Sequence, residues 1–223
     1  MPQNNAARAM VVINGDDIHH DLISASLVFQ QLGVEAGFAT ARAMGLKRFI
    51  DARPVTADAS VYVLYTAGGE FPEEQQRALA ALVAAGKGVV AIHASNVLGA
   101  VDGGIAPADR SMYDLLGNRY LSHGPGHHEG RFRVEIVADH PITAGITDFE
   151  LFDEFYEFEL ADEKVEVLAQ RRREDGEIIP VLYARQVGLG RVCYLALGHD
   201  MRAWGEPPFR AVVKQAIEWA AQL

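Results

Sequence analysis

Ser60-Val61-Tyr62-Val63-Leu64-Tyr65, then Thr66-Ala67-Gly68-Gly69, then Pro72-Glu73-Glu74, and finally Gly86-Lys87-Gly88-Val89-Val90-Ala91-Ile92-His93 decide how this chain folds. A short, unbroken apolar run closed by glycine or polar residues is the pattern of a strand buried on both faces, as in a parallel sheet. Proline followed by two glutamates starts a helix: the first turn does not need the missing N–H, and the carboxylates meet the positive end of the helix dipole. That helix runs to about Ala85, and Gly86 stops it. Strand, helix and strand in this order make one crossover of a doubly wound sheet.

The same grammar extends outward. Ala9-Met10-Val11-Val12-Ile13-Asn14 reads as a buried strand opening into the polar loop Asn14-Gly15-Asp16-Asp17. A helix should follow, with Leu22, Ile23, Ser26, Leu27, Phe29 and Gln30 on one face and Gly33 as its stop. Val34 to Thr40 reads as the second strand. Beyond His93, residues 97–128 are rich in Gly, His, Asp and Pro, with only Met112 to Gly117 helical in pattern; so long an excursion is usually functional. Strand-like pieces follow at Phe132–Val137, Phe149–Leu160, Val165–Arg171, Val181–Gln186 and Arg191–Leu197, and these should extend the sheet antiparallel. Gly188-Leu189-Gly190 is a tight hairpin. A last helix, Pro208 to Gln222, puts Phe209, Val212, Val213, Ala216, Ile217, Trp219 and Ala220 on its packing face.

A chain of 223 residues with 49% hydrophobic content is long enough for one substantial core, and a single domain over 1–223 is expected. The formal charge of -10 disfavours a general grip on nucleic acid. The one basic run, Arg171-Arg172-Arg173, is followed by Glu174 and Asp175 and reads as a solvated hairpin end. No export signal and no apolar stretch of membrane-spanning length stand out, so a cytoplasmic protein is expected. The single cysteine, Cys193, cannot form an intramolecular disulfide and reads as a small buried hydrophobe.

Ligands of open α/β sheets bind beyond the carboxyl ends of the strands, so the polar residues just after each apolar run are the ones to collect. They are Asp16, Asp17, His19 and His20 after the first strand, Gly68, Gly69 and Glu70 after the third, His93, Ser95 and Asn96 after the fourth, and His199 and Asp200 after the last. Three further histidines, His123, His127 and His128, stand in the irregular segment. Imidazole ligates divalent metals and titrates near neutrality, so metal binding and acid/base work are both open. No HExxH spacing, G-x-S-x-G elbow around Ser95 or glycine-rich phosphate loop is present, and no nucleotide cofactor is expected. The run Phe152 to Glu159 alternates aromatic and acidic residues. Either its carboxylates face water, or one of them, Glu154, points at the histidines.

Several segments in order resemble the ThuA-like (trehalose utilisation) family of the class I glutamine amidotransferase-like fold. They are Gly86 to His93, His140-Pro141-Ile142-Thr143-Ala144-Gly145-Ile146, Asp153-Glu154-Phe155-Tyr156, Gly188 to Asp200, and then Trp204, Phe209 and Ile217-Glu218-Trp219-Ala220. The resemblance implies a three-layer flavodoxin-like α/β sandwich with a mostly parallel central sheet and antiparallel C-terminal strands. It also implies use of trehalose or a related small-molecule sugar, with a partner dehydrogenase making the 3-keto form. Amidotransferases place a nucleophilic cysteine after the fourth strand and a histidine after a late one. Here His93 and His199 stand in those places, which excludes thioester chemistry.

The expected function is therefore a metal-assisted enzyme acting on a sugar or 3-keto-sugar by hydrolysis, elimination or isomerisation. The alternative is a non-catalytic carbohydrate-binding or regulatory domain on the same scaffold. Glu154, His199 and Asp200 are the candidate catalytic residues. His93, His199, Glu154, His19, His20 and His123 are the candidate ligands of a divalent zinc or manganese ion. The chain departs from the family in a Gly-rich insert near Gly103-Gly104 and in two histidine pairs. Assembly into a homo-oligomer is left open.

Overall fold

The computed structural model describes residues 7–15, 18–50, 58–68, 70–97, 110–161 and 164–222. Asp16, Asp17, Gly69 and the Gly103-Gly104 insert lie outside these residues. Among the described residues, eleven strands and five α-helices follow in chain order: β1 (Arg8–Gly15), α1 (Leu22–Glu35), β2 (Ala39–Met44), β3 (Ala59–Ala67), α2 (Glu73–Ala84), β4 (Gly88–Ile92), α3 (Arg110–Leu116), β5 (Asn118–Ser122), β6 (Glu129–Ile136), β7 (Phe149–Glu154), β8 (Glu157–Leu160), β9 (Glu166–Arg172), β10 (Ile178–Val187), β11 (Gly190–Leu195), α4 (Met201–Trp204) and α5 (Pro207–Ala220).

Nine strands form one sheet in the order β2-β1-β3-β4-β11-β10-β9-β6-β7, and β5 pairs with β8 apart from it. The first five are parallel and the rest alternate antiparallel. Parallel strands buried on both faces need continuous apolar side chains, and the register supplies them in rungs. Val11, Val63, Val90 and Cys193 make one rung, and Ile13, Tyr65, Ile92 and Leu195 the next. Nearly every member of both rungs is solvent-free, and burying an aliphatic side chain of this size stabilises by about 1.5–3 kcal/mol. Helix α1 packs with α5, and α2 with α3, giving the three-layer α/β sandwich. None of these helices is long and apolar enough to cross a membrane.

Five expectations need correction. Gly33 does not stop the first helix: a Cβ there would lie 2.5 Å from Thr40 Oγ1, so this glycine lets helix and strand approach. The chain turns at Gly37, in the left-handed region at φ 89°, and the second strand begins at Ala39 instead of Val34. The last strand, β11, is antiparallel to its hairpin partner β10 but parallel to β4, because it enters the sheet between them. The expected strand 149–160 is two, β7 and β8, in different sheets. They break where Phe155 N–H donates to the His128 carbonyl at 2.8 Å.

The fifth concerns polarity. Asp153 is buried and does not face water, and Arg171, expected in a solvated run, is 3% exposed with its guanidinium over Phe132 and Phe155. Strands four places apart in a flat sheet would be about 19 Å apart. Yet Asp153 at the end of β7 accepts a hydrogen bond from Gly198 N–H just past β11 at 2.6 Å. The antiparallel half therefore curls back over the carboxyl edge of the parallel half.

Candidate metal centre

Four strand ends supply the site. His20 follows β1 and directly precedes Asp21, whose carboxylate caps α1 by accepting from Ser24 N–H at 3.0 Å, a contact that stabilises by about 1 kcal/mol. His93 directly follows β4, with φ 53°. Any residue with a Cβ is uncommon in the left-handed region, and such strain gathers where the surroundings fix a functional geometry. Ser95 helps to fix it: its hydroxyl sits between the carbonyls of Ile92 and Leu64 and also accepts from Thr66 N–H. This buried role leaves Ser95 no exposed nucleophile.

Glu154 ends β7. His199 follows β11 through Gly198, whose φ of 108° and close neighbours admit no side chain: a Cβ would meet Phe209 Cζ at 2.9 Å and Ile92 Cγ2 at 3.1 Å.

The side chains converge. His199 Nδ1 lies 3.3 Å from His20 Nε2 and 3.3 Å from His93 Nε2. Glu154 places Oε2 3.1 Å from His93 Nε2 and Oε1 3.4 Å from His199 Nδ1. One donor atom from each of His20, His93, Glu154 and His199 falls within 4.8 Å of every other. Around a tetrahedral ion with bonds of about 2.0–2.1 Å, donor atoms stand about 3.3 Å apart.

A surrounding layer orients these groups. His93 Nδ1–H donates to the Ala196 carbonyl at 3.0 Å, which turns Nε2 inward. Tyr156 lies against the His93 ring at 4.3 Å between centroids. Tyr65 O–H donates to the His199 carbonyl at 2.6 Å. Asp153 accepts from the N–H groups of Gly198, His199 and its neighbour Glu154. His123 Nε2 meets Glu154 Oε2 at 3.1 Å, and its Nδ1 meets the Tyr120 hydroxyl at 3.0 Å. Carboxylates and carbonyls behind ligating imidazoles commonly fix their tautomer and orientation.

The electrostatics follow from burial and charge. Burial works against ionisation of Glu154, yet hydrogen bonds from His123 and His93 and the nearby imidazoles hold its carboxyl far below the usual carboxylate range. Burial also works against a charged His93, but the Glu154 contact and the charges of Asp153 and Glu154 raise its pKa above the ordinary histidine value. For His199, burial and its neighbour His93 prevail and lower it. Burial raises Asp153 in spite of its hydrogen bonds. With Nδ1–H committed to Ala196, a second proton on His93 would sit on Nε2 and face Glu154. Nε2 can ligate a metal only without such a proton.

Of the residues expected from sequence, His20, His93, Glu154 and His199 come together. His123 stands just outside, against Glu154. His19 is exposed and is not among the four clustered residues. Asp200 instead caps α4 through Arg202 N–H and pairs with the Arg202 guanidinium. Glu70 is exposed, and its carbonyl accepts from the Asn14 side chain. Cys193 is fully buried in β11, where burial drives its thiol far above the ordinary range. Sequence reasoning missed Asp153, Tyr120 and Tyr156. The Asp153-Glu154 pair carried a signal, since it too follows a strand end, but the run read as one long strand.

An α/β sandwich with histidines and a carboxylate at the carboxyl edge of its parallel strands defines the class. The chain belongs to the ThuA family, described as trehalose utilisation, which it matches over residues 8–220. A ThuA-like protein from Bacteroides uniformis superposes with a TM-score of 0.75 at 16% identity, covering 99% of this chain and 95% of that one. Another from Parabacteroides merdae gives 0.73 at 18%, covering 96% and 90%. A β-galactosidase from Bacillus circulans matches 96% of this chain with 30% of its own length, at a TM-score of 0.62 and 14% identity. These likenesses establish the fold. No curated protein matches the chain by sequence.

Proposed function

We propose that His20, His93, Glu154 and His199 hold a divalent ion, zinc or manganese, in an enzyme that acts on a small sugar or 3-keto-sugar. The observation that carries this reading is the meeting of three imidazole nitrogens and one carboxylate within 4.8 Å. Imidazole with a single carboxylate suits zinc well and manganese acceptably. Bound there, the ion would polarise a sugar carbonyl or hydroxyl and acidify a bound water.

The chain's own residues supply the rest. Asp153 and Ala196 hold the backbone of His199 and the ring of His93, so the nitrogens stay aimed without reorganisation. His123 would be the group through which a proton from the sugar moves, held in place by its 3.1 Å hydrogen bond to Glu154. A 3-keto group acidifies the neighbouring C–H, so an imidazole base beside a bound ion would serve elimination or isomerisation. The same arrangement serves hydrolysis if the attacking group is water. A sugar dehydrogenase acting earlier would supply the keto substrate. Amidotransferase chemistry has no support, since Cys193 is buried in a strand and His93 occupies the elbow.

Elemental analysis of the purified protein tests the proposal. Near-stoichiometric metal in the wild type, lost in His93→Ala and His199→Ala, is the expected outcome. A wild type that stays metal-free after reloading sinks the metal mechanism and favours a carbohydrate-binding domain.

A further inference from the structure

His123 belongs to two places at once. One ring nitrogen meets Glu154, and the residue also lines a cleft of about 420 Å³ between the loop after β5 and the turn joining β9 to β10. That volume falls within the roughly 300–1,000 Å³ of small-molecule sites. The lining carries four arginines, Arg131, Arg171, Arg172 and Arg173, and two histidines against three carboxylates, Glu157, Glu174 and Asp175. Four guanidinium groups thus gather at one cleft of a chain whose net charge is -10.

The arginines are not equivalent. Arg173 is engaged by Asp175, Glu177 and Glu157, and Arg172 leans toward Glu135 at 3.7 Å. Arg171 is different. It is 3% exposed, and its carboxylate contact is to Glu157 Oε1 at 3.5 Å, an oxygen that Arg173 approaches more closely, at 3.2 Å. Its Nε has no hydrogen-bond partner, and the aromatic rings of Phe132 and Phe155 flank it. A buried cation with so little compensation is costly unless another group completes it. The planar guanidinium fork suits a carboxylate or phosphate. Arg131 stands exposed on the lining.

We infer that this cleft is an anion subsite: a carboxylate or phosphate carried by a sugar-sized molecule seats against Arg171 and Arg131 and brings the rest of that molecule to His123. The inference rests on the metal-enzyme reading in calling that molecule the substrate. A neutral sugar offers only hydroxyl dipoles and would leave Arg171 uncompensated.

Titration calorimetry of the full chain with glucuronate, glucose 6-phosphate and glucose tests it. At least one charged sugar should bind about tenfold tighter than glucose, with an affinity that falls as salt is added, and which one does so tells carboxylate from phosphate. Arg171→Gln and Arg131→Ala should each remove most of that preference; Arg131 is exposed, so its variant remains informative if Arg171→Gln does not fold. Equal affinity for all three sugars, or a charged-sugar preference that survives in both folded variants, overturns the subsite and leaves the metal reading intact. Charged-sugar binding retained in a metal-free His93→Ala protein supports the subsite even where the metal reading fails.

Discussion

Asp153 holds the backbone of His199: its buried carboxylate accepts the His199 N–H at 3.0 Å and, with its other oxygen, the Gly198 N–H at 2.6 Å. This joins the curled-over end of β7 to the loop after β11, and so fixes Glu154 and His199 relative to one another. Asp153→Asn keeps one acceptor and puts an amide N–H opposite a backbone N–H. A buried donor left without an acceptor costs about 1–3 kcal/mol, and loss of a group that orients ligands costs about 10–100-fold in metal affinity. Thermal unfolding and a metal titration should therefore both shift. Unchanged metal affinity in a folded Asp153→Asn protein would show that Asp153 serves only the fold.

His19 and His20 make a sharper comparison, because adjacent residues of the same type have different surroundings. His20 Nε2 is among the clustered donor atoms, and His19 is exposed outside the cluster. His20→Ala should lower bound metal or weaken it by at least about tenfold. His19→Ala should leave stoichiometry and affinity unchanged. Equal loss in both variants would place His19 in the centre and contradict the geometry.

These residues also show how far the sequence could be read. Strands β1, β3 and β4 were legible because a strand buried on both faces must be apolar throughout, and the rule that ligands gather beyond carboxyl ends led to His20, His93 and His199. Their mutual distances were not legible, nor was the separation of His20 from His19, because both depend on how a loop is pinned by the Asp21 cap. Asp153 was hidden for a related reason. Alternation assigns faces within one strand, but it does not show that β7 ends at Glu154 or that the sheet curls to bury its last turn against β11. Arg171 was misread because a charge run looks solvated until aromatic rings from two other segments cover one member of it.

Protons and metal should compete. In the metal-free protein the Glu154 contact and nearby carboxylates outweigh burial to raise His93, whereas burial and His93 lower His199. The proton on His93 Nε2 is therefore displaced on metal binding until the pH exceeds its raised value. His199, lowered by burial and by its neighbour His93, gives up its proton at lower pH than a free imidazole. Metal affinity should rise with pH through the ordinary histidine value of about 6.5 and beyond, by about tenfold per pH unit for each proton displaced. Below that value protonation should release the metal. Chelator competition between mildly acidic and mildly alkaline pH checks the sign. Affinity independent of pH across this window would show that no imidazole proton is exchanged for the ion.

Gly198 offers the last test, because it couples the fold to the site through one Cβ. Its φ of 108° is a conformation that L side chains rarely adopt, and an added Cβ would press on Phe209 Cζ at 2.9 Å and Ile92 Cγ2 at 3.1 Å. Neither neighbour can move away cheaply, since both are fully buried. Its carbonyl is also fixed, accepting from Trp204 Nε1–H at 2.7 Å. Gly198→Ala should therefore destabilise by on the order of 1–3 kcal/mol and relieve the strain by moving the adjacent His199. Metal affinity should fall together with stability, although no ligand has been removed. The useful control is Phe209→Leu, which opens space beside the new methyl group. If the double variant Gly198→Ala/Phe209→Leu regains metal affinity relative to Gly198→Ala alone, the effect runs through the steric contact. If it does not, the left-handed backbone at Gly198 itself sets the position of His199.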